Sequence, residues 1–263
     1  SCVHDCPARI IKNVQGGIPH IEPESEANCL QCQHCLAICP VGAISIFGIQ
    51  PEECIPLKEG SLPDYEHVTR LLRGRRSVRQ FLPRNVEPAL IRDMLATVAN
   101  CPTAVNTRKL RFSLISDRAV LQKLLGQCIK WLEKAREAGQ LDPASYLAKS
   151  IDTYRKYNID TLFRGAPHAL IVSAGPGSVC PAEDVNIALS YFELLAQSAG
   201  MGTVWCGLMK HALELVPELK EPLRLEGQSY YYCMVFGRPA IRYARTVKRD
   251  NAAEVCEIGG DAI

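Results

Sequence analysis

Thirteen cysteines occur in this chain of 263 residues, and seven of them (Cys2, Cys6, Cys29, Cys32, Cys35, Cys39 and Cys54) fall in the first 54. The densest run reads Cys29-Leu-Gln-Cys32-Gln-His-Cys35-Leu-Ala-Ile-Cys39-Pro40. A 4Fe–4S cube needs thiolates aimed inward at its irons. A Cys-x2-Cys-x2-Cys loop wraps three of them, and a fourth Cys followed by Pro lies three residues on. Cys-x2-Cys pairs also serve zinc, so a zinc site is the competing reading. A disulfide scaffold is disfavoured, because the chain shows no export signal and is not small. The six cysteines beyond residue 54 are scattered singly and read as small buried hydrophobes.

Cys2-Val-His-Asp-Cys6-Pro7 is the second half of another such motif. Ala8-Arg-Ile-Ile11 after its Cys-Pro matches Val41-Gly-Ala-Ile44 after the later one, a weak internal duplication. The segment resembles two-cluster bacterial ferredoxins. That resemblance implies a chain clipped at its N-terminus, with Cys29, Cys32, Cys35 and Cys6 forming one complete cluster. Cys2 and Cys39 would then be half of a second. The alternative is a single cluster. Cys54 lies outside both motifs and reads as structural, and His34 reads as tuning or shielding a cluster rather than binding iron.

A different chemistry is suggested by Arg75-Arg76-Ser77-Val78-Arg79. Arginine forks match phosphate oxygens bidentately. Taken alone, the stretch reads rather as a solvated basic turn or a docking patch for an acidic partner than as a phosphate grip. It is followed by Cys101-Pro-Thr-Ala-Val-Asn106, Leu162-Phe-Arg-Gly-Ala-Pro-His-Ala-Leu-Ile-Val172 and Asn186-Ile-Ala-Leu-Ser-Tyr-Phe-Glu-Leu-Leu195. Last come Gly200-Met-Gly-Thr-Val-Trp-Cys-Gly207 and Arg245-Thr-Val-Lys-Arg249.

In that order these motifs resemble the nitroreductase family of FMN enzymes, in its ferredoxin-fused branch, from about Asp64 to Arg249. The resemblance implies FMN phosphate and ribityl contacts at Arg75, Arg76 and Ser77, and a positive charge from Arg79 near the flavin N1/O2 edge. It implies that Asn106 lines the flavin, and that the Trp205, Cys206 and Gly207 segment packs on the ring and offers backbone groups to its polar edge. Lys248 and Arg249 would add a basic pair on the phosphate. It also implies a homodimer with the flavin at its interface. One departure stands out. The family continues its loop as Asn-x-Gln-Pro, whereas this chain reads Asn106-Thr-Arg108-Lys109-Leu110. An anionic substrate, an acidic electron donor and simple drift are the three readings of the two added charges.

The flavin carries the hard chemistry in such an enzyme, so no catalytic side chain is expected. No Ser-His-Asp or paired-carboxylate arrangement is found. The expected activity is reduction of an electron-poor small molecule, such as a nitroaromatic, with electrons entering singly through the iron–sulfur module. Possible external donors are a ferredoxin or NAD(P)H. Two rival readings are an NAD(P)H-dependent flavin reductase with accessory clusters and an electron carrier with no small substrate. A flavin-consuming or dehalogenating relative is a further alternative.

These groups must be positioned by two units. Residues 1–56 form an expected iron–sulfur domain, 57–63 a linker, and 64–263 an FMN-binding α+β domain with a central sheet packed by helices. Val68, Leu71 and Leu72 begin a helical stripe, and Leu90, Ile91, Met94, Leu95 and Val98 another, opened by Pro88. Ala119 to Ala138 and Ala182 to Ala199 read as helices closed by Gly139 and Gly200. Phe112–Ser116, Ala169–Ala174 and Tyr230–Phe236 read as strands. His168 and the tyrosines at 230–232 read as structural. The chain is 47% hydrophobic and 22% charged with net charge +2. That balance argues against nucleic-acid or membrane-surface binding. With no apolar run long enough for a bilayer, a cytoplasmic location is expected.

Overall fold

The computed structural model describes residues 1–13, 17–249 and 253–259. The cysteine-rich segment holds little regular structure. It contains two one-turn helices, α1 (Cys2–Asp5) and α2 (His34–Ala37), and an antiparallel pair, β1 (Ile11–Lys12) with β2 (His20–Ile21). Each helix leads into a Cys-Pro step, Cys6-Pro7 and Cys39-Pro40; of the two stretches matched after them in the sequence, only residues 8–11 run into a strand. His34 Nδ1 lies 3.2 Å from Asp5 Oδ2, tying the two turns together. Residues 57–63 are exposed throughout.

Asp64 opens the next helix by accepting the His67 N–H at 2.8 Å, a side-chain N-cap. That helix is α3 (Tyr65–Gly74). It is followed by α4 (Pro88–Val98), β3 (Leu110–Ile115), α5 (Arg118–Glu137), α6 (Tyr146–Tyr157) and β4 (His168–Ala174). Then come α7 (Pro181–Ser198), β5 (Gly202–Trp205), α8 (Gly207–Leu215) and β6 (Tyr230–Gly237). The four long strands make one antiparallel sheet in the order β3-β4-β6-β5.

Strand β4 is buried at every position, which explains why its sequence is a continuous apolar run rather than an alternation. Its residues still divide by parity. Leu170, Val172 and Ala174 join Met234 and Phe236 of β6 on the face covered by α4 and α7. Ala169 and Ile171 join Cys233 and Val235 on the face covered by α5, α6 and α8. Two apolar cores therefore sandwich the sheet, an α+β layered arrangement. Each fully buried Phe, such as Phe163, Phe192 or Phe236, contributes roughly 1.5–3 kcal/mol over an exposed position.

His168 sits in this core at 0% exposure, its Nε2 accepting the Val86 N–H at 2.8 Å. Burial holds its pKa below the ordinary value, so it is a neutral structural histidine. No helix among the described residues is long and apolar enough to cross a membrane.

Candidate functional site

The segment Arg75–Arg79 runs alongside β5. Ser77 pairs with Thr203 in a parallel bridge, and the Val78 N–H donates to Thr203 O at 2.8 Å. This close approach needs Gly202, because a Cβ there would collide with the Val78 side chain. The Gly-Met-Gly text of the sequence thus lets a basic strand-like segment lie directly on a sheet edge.

Arg75 and Arg76 line a pocket together with Leu72, Arg73, Thr246, Val247, Lys248 and Arg249. Two basic stretches from opposite ends of the domain meet there. Arg76 Nη2 donates to Arg73 O at 2.7 Å, while its buried Nε has no partner among the described residues. Five cationic side chains around one cavity, one with an unspent buried donor, suit a multiply charged anion such as a phosphate. Arg79 is exposed, and its Nη1 donates to Ser77 O at 3.3 Å.

Glu193 on α7, 7% exposed, connects this pocket to Trp205. Its Oε1 receives Arg75 Nη1 and Thr203 Oγ1, each at 3.1 Å, and its Oε2 receives Trp205 Nε1 at 3.2 Å. Trp205 also packs edge-on against Tyr232, centroids 5.4 Å apart. Lys210 Nζ lies 5.0 Å and 5.7 Å from the ring centroids of Tyr230 and Tyr232, a cation–π arrangement. Cys206 turns inward: its Sγ donates to Leu162 O at 3.2 Å, its N–H donates to Cys233 O, and burial pushes its thiol up to about 12. It is an inert core thiol. Gly207 begins α8, whose first-turn N–H groups lie at the helix N-terminus.

Asn106 is not among the residues lining the basic pocket. It belongs to a tight loop in which Val105, Asn106 and Arg108 have φ of 45°, 55° and 52°. A β-branched residue in the left-handed region is strained. Asp184 on α7, 2% exposed, steadies the loop by accepting the Ala104 N–H at 2.9 Å. Asn106 Nδ2 in turn donates to Leu30 O at 2.8 Å, inside the first Cys-x2-Cys loop. The two charges that depart from the family pattern are tied back: Arg108 Nη2 donates to Ala99 O at the end of α4, and Lys109 Nζ reaches Pro176 O at 3.5 Å. The Arg108 contact caps a carbonyl at the C-terminal end of α4.

In the N-terminal segment, Cys6, Cys29, Cys32 and Cys35 line one cavity with Leu30, Ile10, Ile11, Ile21 and Ile46 among its walls. Gln31 and Gln33 take positive φ, 54° and 60°, curling the Cys-x2-Cys-x2-Cys loop around it. The Gln31 N–H donates to Cys29 Sγ at 3.4 Å. Burial raises the Cys35 thiol, and the neighbouring Cys32 and Cys29 charges add to the effect. Cys2 and Cys39 lie outside this cavity. The Ala43 N–H donates to Cys39 Sγ at 3.2 Å and leads the backbone donors that lower its pKa. No disulfide joins the described cysteines. Among the described residues no group of three or more His, Cys, Asp or Glu is arranged to hold a single metal ion.

Glu193, Asp184, Lys210 and Tyr232 were not singled out as site residues from the sequence. The available signal was an acid inside an apolar helix: Glu193 interrupts Phe192-Glu-Leu-Leu195, and Asp184 precedes Val185 on a buried stripe.

The nitroreductase family profile matches residues 72–238. No curated protein matches the sequence. Among solved structures, a nitroreductase with bound FMN from Bacteroides fragilis superposes with a TM-score of 0.59 at 17% identity, covering 72% of this chain and 98% of that one. A nitroreductase with bound FMN from Desulfitobacterium hafniense gives 0.56 at 21% identity, covering 72% and 97%. An FMN-dependent nitroreductase from Clostridium difficile gives 0.55 at 16%, covering 74% and 100%. At these identities the superpositions speak for the fold. The family match spans well over half of the chain, and the chain belongs to the nitroreductase family. That makes it an FMN-dependent oxidoreductase.

Proposed function

We propose that this oxidoreductase receives electrons through an N-terminal ferredoxin-type domain holding 4Fe–4S iron and passes them to FMN, which reduces an electron-poor small molecule such as a nitroaromatic. The observation that carries the flavin part is the shared pocket of Arg75 and Arg76 with Lys248 and Arg249. These residues would hold the FMN phosphate, with Ser77 beside it. Trp205 and the backbone at Gly207 would flank the ring. Arg79, exposed and unpaired with any carboxylate in the described structure, would supply positive charge at the ring's N1/O2 edge. When bound, FMN supplies hydride transfer from N5 and the capacity to collect two electrons delivered singly.

The cavity lined by Cys6, Cys29, Cys32 and Cys35 supports the iron–sulfur part, because those are the four thiols the cross-ligation pattern selects. Thiolates around a cube stand apart rather than converging on one ion, so the lack of a single-ion site among the described residues does not count against a cluster. Cys2 and Cys39 would serve a second cluster. The Asn106–Leu30 contact favours electron entry from this segment over an accessory role, since it seats the cysteine loop on the loop proposed to line the flavin.

A homodimer is part of the proposal. Helix α3 buries none of its residues and leaves Tyr65 87% and Leu72 52% exposed, an apolar face that a second copy would cover. Sedimentation equilibrium checks this directly.

The test of function is anaerobic reduction followed by flavin bleaching, with reduced ferredoxin, NADH and NADPH as donors, on the whole chain and on a form lacking residues 1–56. Bleaching by ferredoxin alone, abolished by the truncation, is the expected result. Equal reduction of both forms by NAD(P)H would make this a nicotinamide-dependent flavoenzyme. Flavin reduction with no turnover of any small acceptor would make it an electron carrier.

A further inference from the structure

We infer that Glu193 is a positioning residue that locks the phosphate end and the ring end of the flavin site to each other. The inference rests on the flavin reading above and extends it to a residue that would touch no part of the cofactor. Three donors converge on this one carboxylate: Arg75 and Thr203 on Oε1, Trp205 on Oε2. Arg75 lines the basic pocket, and Trp205 sits in the segment proposed above to flank the ring. Thr203 is the β5 residue on which Ser77 pairs. Glu193 therefore fixes at once the guanidinium, the strand on which the Ser77 segment pairs, and the indole.

The placement has an electrostatic cost, which makes its purpose testable. A buried carboxylate next to a phosphate-binding arginine weakens the local positive field. If Glu193 were only a tolerated charge, removing it would tighten anion binding. If it positions Arg75 and Trp205, removing it loosens binding despite the more positive pocket. The sign of the change separates the two roles. Glutamine is the sharp probe, being isosteric and uncharged. Its single oxygen can serve Arg75 and Thr203 or Trp205, while its amide N–H groups face the remaining donor.

The experiment uses the whole chain in a Trp131→Phe background, so that Trp205 is the sole indole. Glu193→Gln is compared with its parent for FMN affinity and for Trp205 emission in the absence of flavin. The expected result is a rise of about tenfold in the FMN dissociation constant with a shifted Trp205 emission maximum. Equal or tighter FMN binding with unchanged emission overturns the inference. A parent that binds no FMN sinks the flavin reading instead, and the emission comparison still decides whether Glu193 holds Trp205. If Glu193→Gln does not fold, Thr203→Val removes one neutral donor and tests the same lock. A severalfold loss of FMN affinity is then expected, and no loss overturns it.

Discussion

Asn106 Nδ2 donates a hydrogen bond to the carbonyl oxygen of Leu30 at 2.8 Å, across 76 residues of sequence. The acceptor lies between Cys29 and Cys32, and the donor lies on a strained loop held from below by Asp184. A backbone carbonyl at that place is spent on a side chain 76 residues away rather than on its own loop.

Replacing Asn106 by Ala removes this bond. The expected local cost is about 1 kcal/mol. Stopped-flow reduction by ferredoxin should slow severalfold while iron content stays native. A variant reduced at the parent rate would show that the contact has no part in electron entry.

Cys35→Ser is expected to lose most of the bound iron and acid-labile sulfide after anaerobic purification. Cys54→Ser, whose thiol only approaches Gln50 O at 3.9 Å, is expected to keep both. Iron and sulfide assays check the pair. Zinc in place of iron in the native chain would reinstate the competing metal reading.

Truncating Arg76 to Ala should weaken FMN binding by about tenfold, roughly 1.4 kcal/mol, with a larger effect on FMN than on riboflavin, which lacks the phosphate. Raising ionic strength should weaken FMN binding of the native protein in the same direction. Calorimetric titration of both flavins reads the difference.

The pH dependence of stability has a contribution from His168. Its native pKa lies below the ordinary value because the ring is buried. Above about pH 6.5 the imidazole is neutral in both folded and unfolded chains, and it costs nothing. As the pH falls below that value, the unfolded chain takes up a proton the native one resists, so stability declines. His168→Gln can still accept the Val86 N–H but cannot titrate. Urea melts at pH 7.5 and pH 5 should show a smaller loss for the variant than for the native protein. An identical loss in both would remove His168 from the pH response.

How much of this was legible beforehand follows from what kind of signal each element sends. Helices α5 and α7 lie within a residue of their sequence-read bounds, because long apolar stripes closed by Gly139 and Gly200 are local signals. Strands β4 and β6 were equally plain as apolar runs. Helices α6 and α8 send no clear sequence signal, and β5 shows only as part of a motif. Tyr146–Tyr157 carries a weaker stripe broken by polar residues, and Gly202–Trp205 is only four residues long. At the site, the basic residues were visible by type, and their meeting in one pocket followed only from the resemblance. Glu193 stayed hidden because its three partners come from distant positions, and no spacing rule joins them. The motif marks Asn106 only through the family resemblance, and its bond to Leu30 cannot be foreseen from either loop alone.

Residues 57–63 are exposed throughout, and on the proposed reading they would form a tether of seven residues. A short connection of this kind would set an effective concentration of roughly millimolar between the units it joined. On the proposed reading, the reductant is therefore always present at a level that no freely diffusing carrier would reach in dilute solution. The internal step becomes first order, indifferent to how much of the protein a cell makes. Only the arrival of electrons from outside remains a matter of collision.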